Sequence, residues 1–171
     1  KYMSEKIEDY LKSNFSDRKI RCIPQNTVSG TYGALKAAEE FLDDSKFLVL
    51  SADDMYDKKE LIEMIKHPRA FGVQKKIMPG YYAIEHGING EVSKMRNATE
   101  EEDLNGTPVA TGAYVLDKKI FEFDPVKLRD GEYGLPQTII ANIEHYNIDY
   151  FLMHNWQPIN TTKDLENVKI P

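Results

Sequence analysis

Two adjacent carboxylates, Asp53 and Asp54, follow closely on a short apolar run, Phe47-Leu48-Val49-Leu50, and a divalent cation is the chemistry this pairing suggests. Mg²⁺ takes one or two carboxylates and completes its shell with water and substrate phosphates. An apolar run of that length reads as a buried strand, and in open α/β sheets ligands sit beyond the carboxyl ends of the strands. The same two acids serve equally as turn formers or a helix cap, so the pair alone fixes no function. Upstream, Ser29-Gly30-Thr31 places a glycine and two hydroxyls ahead of Ala34, Leu35, Ala38, Phe41 and Leu42, whose spacing predicts a helix opening near Gly30 or Thr31. Gln25 falls in the loop after Pro24, which ends a strand expected over Lys19 to Ile23. A polar residue in such a loop is ordinarily just solvated, and only its five-residue lead on Gly30 singles it out.

The elements that must position these groups follow from the pattern along the chain. Residues 2 to 13 carry Met3, Ile7, Tyr10 and Leu11 on one helical face, which predicts an amphipathic helix packed on a sheet. Lys46 to Leu50 is expected to be buried on both faces in a parallel sheet. A helix over Lys58 to Lys66, with Leu61, Ile62 and Ile65 inward, stops at His67-Pro68. Ala70 to Lys75 reads as a strand that brings Lys75 and Lys76 to the carboxyl edge, to meet a phosphate or simply to be solvated. Tyr81 to Glu85 and Glu91 to Met95 flank Gly87-Ile88-Asn89-Gly90 as a hairpin, and residues 97 to 107 form a polar, acidic loop. The glycine in the strand Val109 to Leu116 marks a bulge or a close approach by a ligand. Pro136 opens a helix over Gln137 to His145, Tyr150 to His154 is a strand, and Thr161 with Asp164 caps the last helix.

The 171 residues suit one domain, 1–171, large enough to bury a core. A net charge of −6 with acids and bases interspersed gives nucleic acid nothing to bind by charge alone. With 41% hydrophobic residues but no apolar run near the length of a membrane span, no membrane association is expected. No basic-then-apolar leader is visible, so cytoplasmic residence is the default. Cys22 is the single cysteine, which leaves no internal disulfide, and His145 and His154 are too isolated from other ligands to argue for zinc.

Taken in order, Gln25, Gly30-Thr31, Gly33-Ala34-Leu35, Phe47 to Asp54, Asn89-Gly90, Ala110-Thr111-Gly112-Ala113-Tyr114 and Trp156-Gln157-Pro158-Ile159-Asn160-Thr161 resemble the core of the sugar-1-phosphate nucleotidyltransferases. That resemblance implies an α/β, Rossmann-like fold with a mainly parallel central sheet of the nucleotide-diphospho-sugar transferase type. It implies a reaction that joins an NTP to a sugar 1-phosphate and releases pyrophosphate, with Mg²⁺ as cofactor. By the same resemblance Asp53 would hold the catalytic metal and Asn160 would add a second contact. Gln25, Gly30 and Thr31 would meet the nucleotide; Tyr82, Thr111, Gly112 and Glu132 would line the sugar pocket. Pro158 stands where many members carry an aspartate, and Asn97-Ala98 where the family has a Glu-Lys pair. The family's first strand and Gly-rich triphosphate loop precede the point where the resemblance begins, so an N-terminally truncated domain is expected. Such a domain would associate with a second copy or with a partner chain that covers the missing strand. A non-catalytic relative, binding nucleotide or sugar phosphate as a regulatory or assembly subunit, is the alternative.

Overall fold

The computed structural model describes residues 3–25, 29–43, 45–75, 81–97 and 107–168. Helix α1 (Ser4–Asn14) forms as its spacing predicts, but it buries no residue: Ile7 and Tyr10 are 56% and 60% exposed. The expectation that it packs on a sheet is therefore corrected. After it, Lys19–Ile23 forms no strand among the described residues, because a strand is a ladder and needs a partner backbone. Arg21 lies instead over the Phe41 ring, 4.2 Å from its centroid.

Helix α2 (Gly30–Ala38) turns Tyr32, Gly33 and Leu35 inward and continues into a tighter turn over Glu39–Phe41. Strands β1 (Phe47–Val49) and β2 (Asp54–Met55) bracket the acidic pair. Helix α3 (Lys58–Met64) starts where the Asp57 side chain accepts the N–H groups of Lys59 and Glu60. Its inward residue is Met64, while Ile62 and Ile65, expected inside, are 45% and 42% exposed. Then come β3 (Ala70–Lys75) and the hairpin of β4 (Tyr82–His86) and β5 (Val92–Asn97), whose turn places Gly90 at φ 84°. Lys76 and most of the acidic 97–107 segment, including Ala98, lie outside the described residues. The long strand β6 (Pro108–Leu116), the small ladder of β7 (Val126–Lys127) with β8 (Tyr133–Gly134), and helix α4 (Leu135–Ala141) follow. Strand β9 (Asp149–Leu152), strand β10 (Gln157–Pro158) and helix α5 (Thr162–Glu166) complete the described chain.

The fold is of the α/β class, and its central sheet runs β5-β4-β6-β3-β9, with β1 also paired to β6. Only β3 with β9 is a parallel ladder among the described residues; β1, β3 and β4 each run antiparallel to β6. Strands β1, β3, β4 and β9 therefore point one way, but β6 lies between them, so most pairings are antiparallel and not parallel as the apolar runs suggested. An apolar run reports burial and says nothing of strand direction. One edge of β6 carries β3; the other carries β4 at Val109 and β1 at Tyr114 to Leu116. Across from that interval the β3–β6 register slips between Phe71 and Val73, and Gly112 adopts φ 72°, the bulge that a glycine within a strand suggested.

Alternation along the strands splits the core over two faces. Phe71, Tyr114, Leu116, Ile139 and Tyr146 pack on one, with Phe71 and Tyr114 edge to face at 4.9 Å; Ala70, Ala113, Val115, Met64 and Met153 pack on the other. Strand β1 departs from expectation: Leu48 is 37% exposed and Leu50 38%, so its outer side is not covered.

Candidate functional site

The turn from Ser51 to Asp54 sits in the gap that the bulge opens between β4 and β1. The Ser51 N–H donates to the Gly112 carbonyl at 3.1 Å, and the Tyr56 hydroxyl donates to the Thr111 carbonyl at 2.8 Å. The same hydroxyl stands 3.2 Å from Asp54 Oδ2, to which the Trp156 indole N–H donates at 2.9 Å. Burial is the main influence that holds the Asp54 carboxyl above the usual carboxylate range; the neighbouring Asp53 charge adds to this, and the bonds from Trp156, Tyr56 and the Ile159 N–H oppose it. Burial also pushes the Tyr56 phenol up, which keeps it a neutral donor. Asp54 is thus the structural anchor of the turn, and Asp53 beside it is exposed.

The anchor is braced from the far end of the chain. Strands β2 and β10 pair Met55 with Gln157 and Asp54 with Pro158. That ladder ends at Asp54 and Pro158, and Asn160 lies two residues beyond it. The Asn160 side-chain amide donates to the Tyr81 hydroxyl at 2.9 Å, which sets its orientation. Its backbone N–H donates to Asp164, which forms the expected capping box with Thr161. Glu60 steadies the approach to Trp156 by accepting the N–H groups of His154 at 2.9 Å and Asn155 at 3.2 Å.

Among the described residues no group of three or more His, Cys, Asp or Glu side chains could hold a metal ion by itself. Asp53 offers an exposed carboxylate on the turn, and Asn160 an amide oxygen two residues beyond β10. So sparse and hard a set fits Mg²⁺, whose shell is then completed by water and phosphate, and does not fit zinc.

The residues expected at the nucleotide converge on one place and are held there by one another. Gln25 Nε2 donates to the Gly30 carbonyl at 2.8 Å, and Thr31 Oγ1 accepts the Leu135 N–H at 2.9 Å. Gly30, at φ 82°, lies so close to Glu132 and Tyr133 that an added Cβ would come within 2.5 Å of the Tyr133 carbonyl oxygen. The glycine is required there by packing and backbone conformation. Glu132, expected at the sugar, consequently lies against Gly30 on the nucleotide side. Thr111 is 1% exposed and its hydroxyl donates to Met153 Sδ at 3.4 Å, so its side chain is turned into the core, away from any pocket. Gly112 abuts Ser51, and Tyr82 is exposed at the start of β4, opposite Asn97.

Two cavities flank the acidic turn. A groove of about 580 Å³ beside β1 is lined by Thr31, Leu35, Ser51, Gly112 and Gln137 among others, and is largely apolar. Neither Gln25, Gly30 nor Asp53 lines it. A second, more polar cavity of about 680 Å³ opens beyond the carboxyl ends of β3 and β9, and Trp156, Pro158 and Asn160 form part of its wall. Ser51, Tyr56, Glu60 and Trp156 take roles here that local sequence does not assign. Trp156 and Asp54 are 102 residues apart in the chain, so no local pattern announces their bond.

Known proteins resemble this chain in sequence and in fold. A family model described as Nucleotidyl transferase matches residues 1–169. The "Bifunctional protein GlmU" of Methanocaldococcus jannaschii is 30% identical over 141 residues, 81% of this chain and 33% of that protein. A "Putative UTP--glucose-1-phosphate uridylyltransferase" from the same organism is 29% identical over 112 residues, 58% of this chain and 40% of that protein. The chain thus spans between a third and two fifths of these relatives. Among solved structures, UDP-glucose pyrophosphorylase complexed with UDP-glucose superposes with a TM-score of 0.69 at 17% identity, over 94% of this chain and 69% of that one, a likeness of fold.

Proposed function

The chain belongs to the nucleotidyl transferase family, and from that premise we propose that it is a sugar-1-phosphate nucleotidyltransferase domain, part of a larger assembly, forming an NDP-sugar from an NTP and a sugar 1-phosphate. A phosphate oxygen of the sugar attacks the α-phosphorus of the NTP; the bond to the β-phosphate breaks and pyrophosphate leaves. Asp53 and Asn160 would hold Mg²⁺, which supplies charge neutralisation on the phosphates. Asp54, fixed by Trp156 and Tyr56, positions the turn that carries Asp53. Gln25, Gly30 and Thr31, with Glu132 packed against Gly30, mark the nucleotide side, and Tyr82 the approach to the sugar.

One observation carries this reading: an acidic turn moored to β6 at Gly112 and braced by the β2–β10 ladder, with one cavity reaching Ser51 and another reaching Pro158 and Asn160. The decisive assay incubates the protein with NTPs, Mg²⁺ and a panel of sugar 1-phosphates. Pyrophosphate release is expected, with a loss on the order of a hundredfold or more in Asp53→Ala. Release that survives this substitution would refute the assignment of the metal. The non-catalytic alternative draws support from Gln25 and Thr31, whose polar atoms already bond within the chain. Among the described residues β1 pairs only with β6, and its other edge faces the apolar groove. A strand from a partner chain or a second copy would cover that edge. Size-exclusion chromatography with light scattering should therefore show an assembly, and a monodisperse monomer with a cooperative melt would dispose of this part of the reading.

A further inference from the structure

The second cavity has a feature that neither the fold nor the metal turn accounts for. Gln74, on β3, is 8% exposed and lines its inner wall. Its Nε2 donates to the His154 carbonyl at 2.7 Å, which fixes the orientation of the amide, and its Oε1 is left buried with no partner. A buried carbonyl oxygen without a donor bears its full desolvation cost, and native proteins rarely leave one so unless a ligand or a lodged water completes it. The Ala70, Gly72 and Gln74 face of β3 is otherwise closed over Met64, Ala113 and Met153, and the buried hydroxyl beside it, that of Thr111, is taken up by Met153 Sδ. Around it the wall is polar: Lys75, Asn155, Gln157, Asn160 and Asp164. The cavity shares Asn160 with the proposed metal site and Trp156 with the Asp54 anchor.

We propose that this cavity seats the hydroxyl-bearing ring of the sugar 1-phosphate, with Gln74 Oε1 accepting a hydrogen bond from one ring hydroxyl and so acting as a specificity-determining residue. The inference rests on the transferase reading for the identity of the ligand and on the orphaned amide for its position. An acceptor in that place demands a donor. A ring hydroxyl satisfies it, whereas a phosphate oxygen or a deoxy carbon leaves it unpaired, and a site built to bond a hydroxyl rejects the analogue that lacks it. Lys75 at the rim offers the adjoining phosphate a cation.

The test is calorimetric titration of the full chain with Mg²⁺ and hexose 1-phosphates, followed by monodeoxy analogues of the tightest binder, against wild type and Gln74→Leu. One deoxy analogue should bind wild type about tenfold more weakly than its parent. Gln74→Leu should lose that discrimination, with a small fall in Tm from the bond to the His154 carbonyl that it gives up. Equal discrimination by the two proteins would overturn the proposal and leave the transferase reading intact. A larger fall in Tm with discrimination unchanged would mean that Gln74 holds only a structural water, and would equally overturn it. Discrimination lost in Gln74→Leu without pyrophosphate release by wild type would uphold the pocket and overturn the transferase reading. Failure of every sugar 1-phosphate to bind would overturn both.

Discussion

Helices α1 and α4 both carry apolar residues at helical spacing, yet α4 buries Leu135, Thr138 and Ile139 while α1 buries none. Helix α4 lies against α2 and the β7–β8 ladder, whereas the apolar face of α1 stays exposed at Ile7 and Tyr10. A helix of this length is marginal by itself, and packing of its apolar face supplies most of its stability. The difference teaches that an amphipathic pattern states what a segment can bury and leaves open whether anything is there to bury it against. The exposed faces of α1 and β1 are both of this kind.

The sharpest way to break the comparison is to cut into each region in turn. Phe71, fully buried against Tyr114, should cost about 3–5 kcal/mol when replaced by alanine, a fall in Tm on the order of 10 °C. A much smaller loss would show that the sheet is no better packed than the α1 region.

Acid offers an intermediate effect, with opposite signs at two carboxylates of the site. Burial raises the Asp54 pKa, so the folded state holds that proton more tightly than the unfolded chain does. Its contribution is fully present below the ordinary value of 3.8 and is lost as pH rises through the raised one. The Thr161 hydroxyl lowers the Asp164 pKa, so that contribution is present above 3.8 and lost as pH falls through the lowered value. Melting wild type, Asp54→Asn and Asp164→Asn from about pH 3 to about pH 7 should show Asp54→Asn gaining on wild type as pH rises and Asp164→Asn losing ground. Parallel curves would mean that neither carboxyl is held as described.

The smallest effect belongs to α1. Ile7→Ser should change stability by no more than about 0.5 kcal/mol in the isolated chain. In an assembly that covers this face the cost should grow several-fold, and chemical denaturation in the presence and absence of a partner distinguishes the two.

What could be read from the residues follows from the range of the interactions. Helix α2, the β4–β5 hairpin and the Thr161–Asp164 capping box depend on neighbours a few residues away, and all three form as expected. Lys19–Ile23 fails to become a strand because pairing is not a property of one segment. The acidic pair was visible, but not the division of labour within it: Asp54 is the anchor only because Trp156 and Ile159 arrive from the far end of the chain to join the nearby Tyr56. Thr111 reads as a pocket residue until the bulge turns its hydroxyl toward Met153.

Strand β6 holds β3 along one edge and both β4 and β1 along the other, with the bulge at Gly112 between them. It is therefore the keystone of the sheet: without β6 the β4–β5 hairpin, the β3–β9 pair and β1 would be three separate pieces. In hydrogen–deuterium exchange the amides of Ala113 to Leu116 would be the last to yield, and the acidic turn, hung from that same strand, would inherit its slow clock.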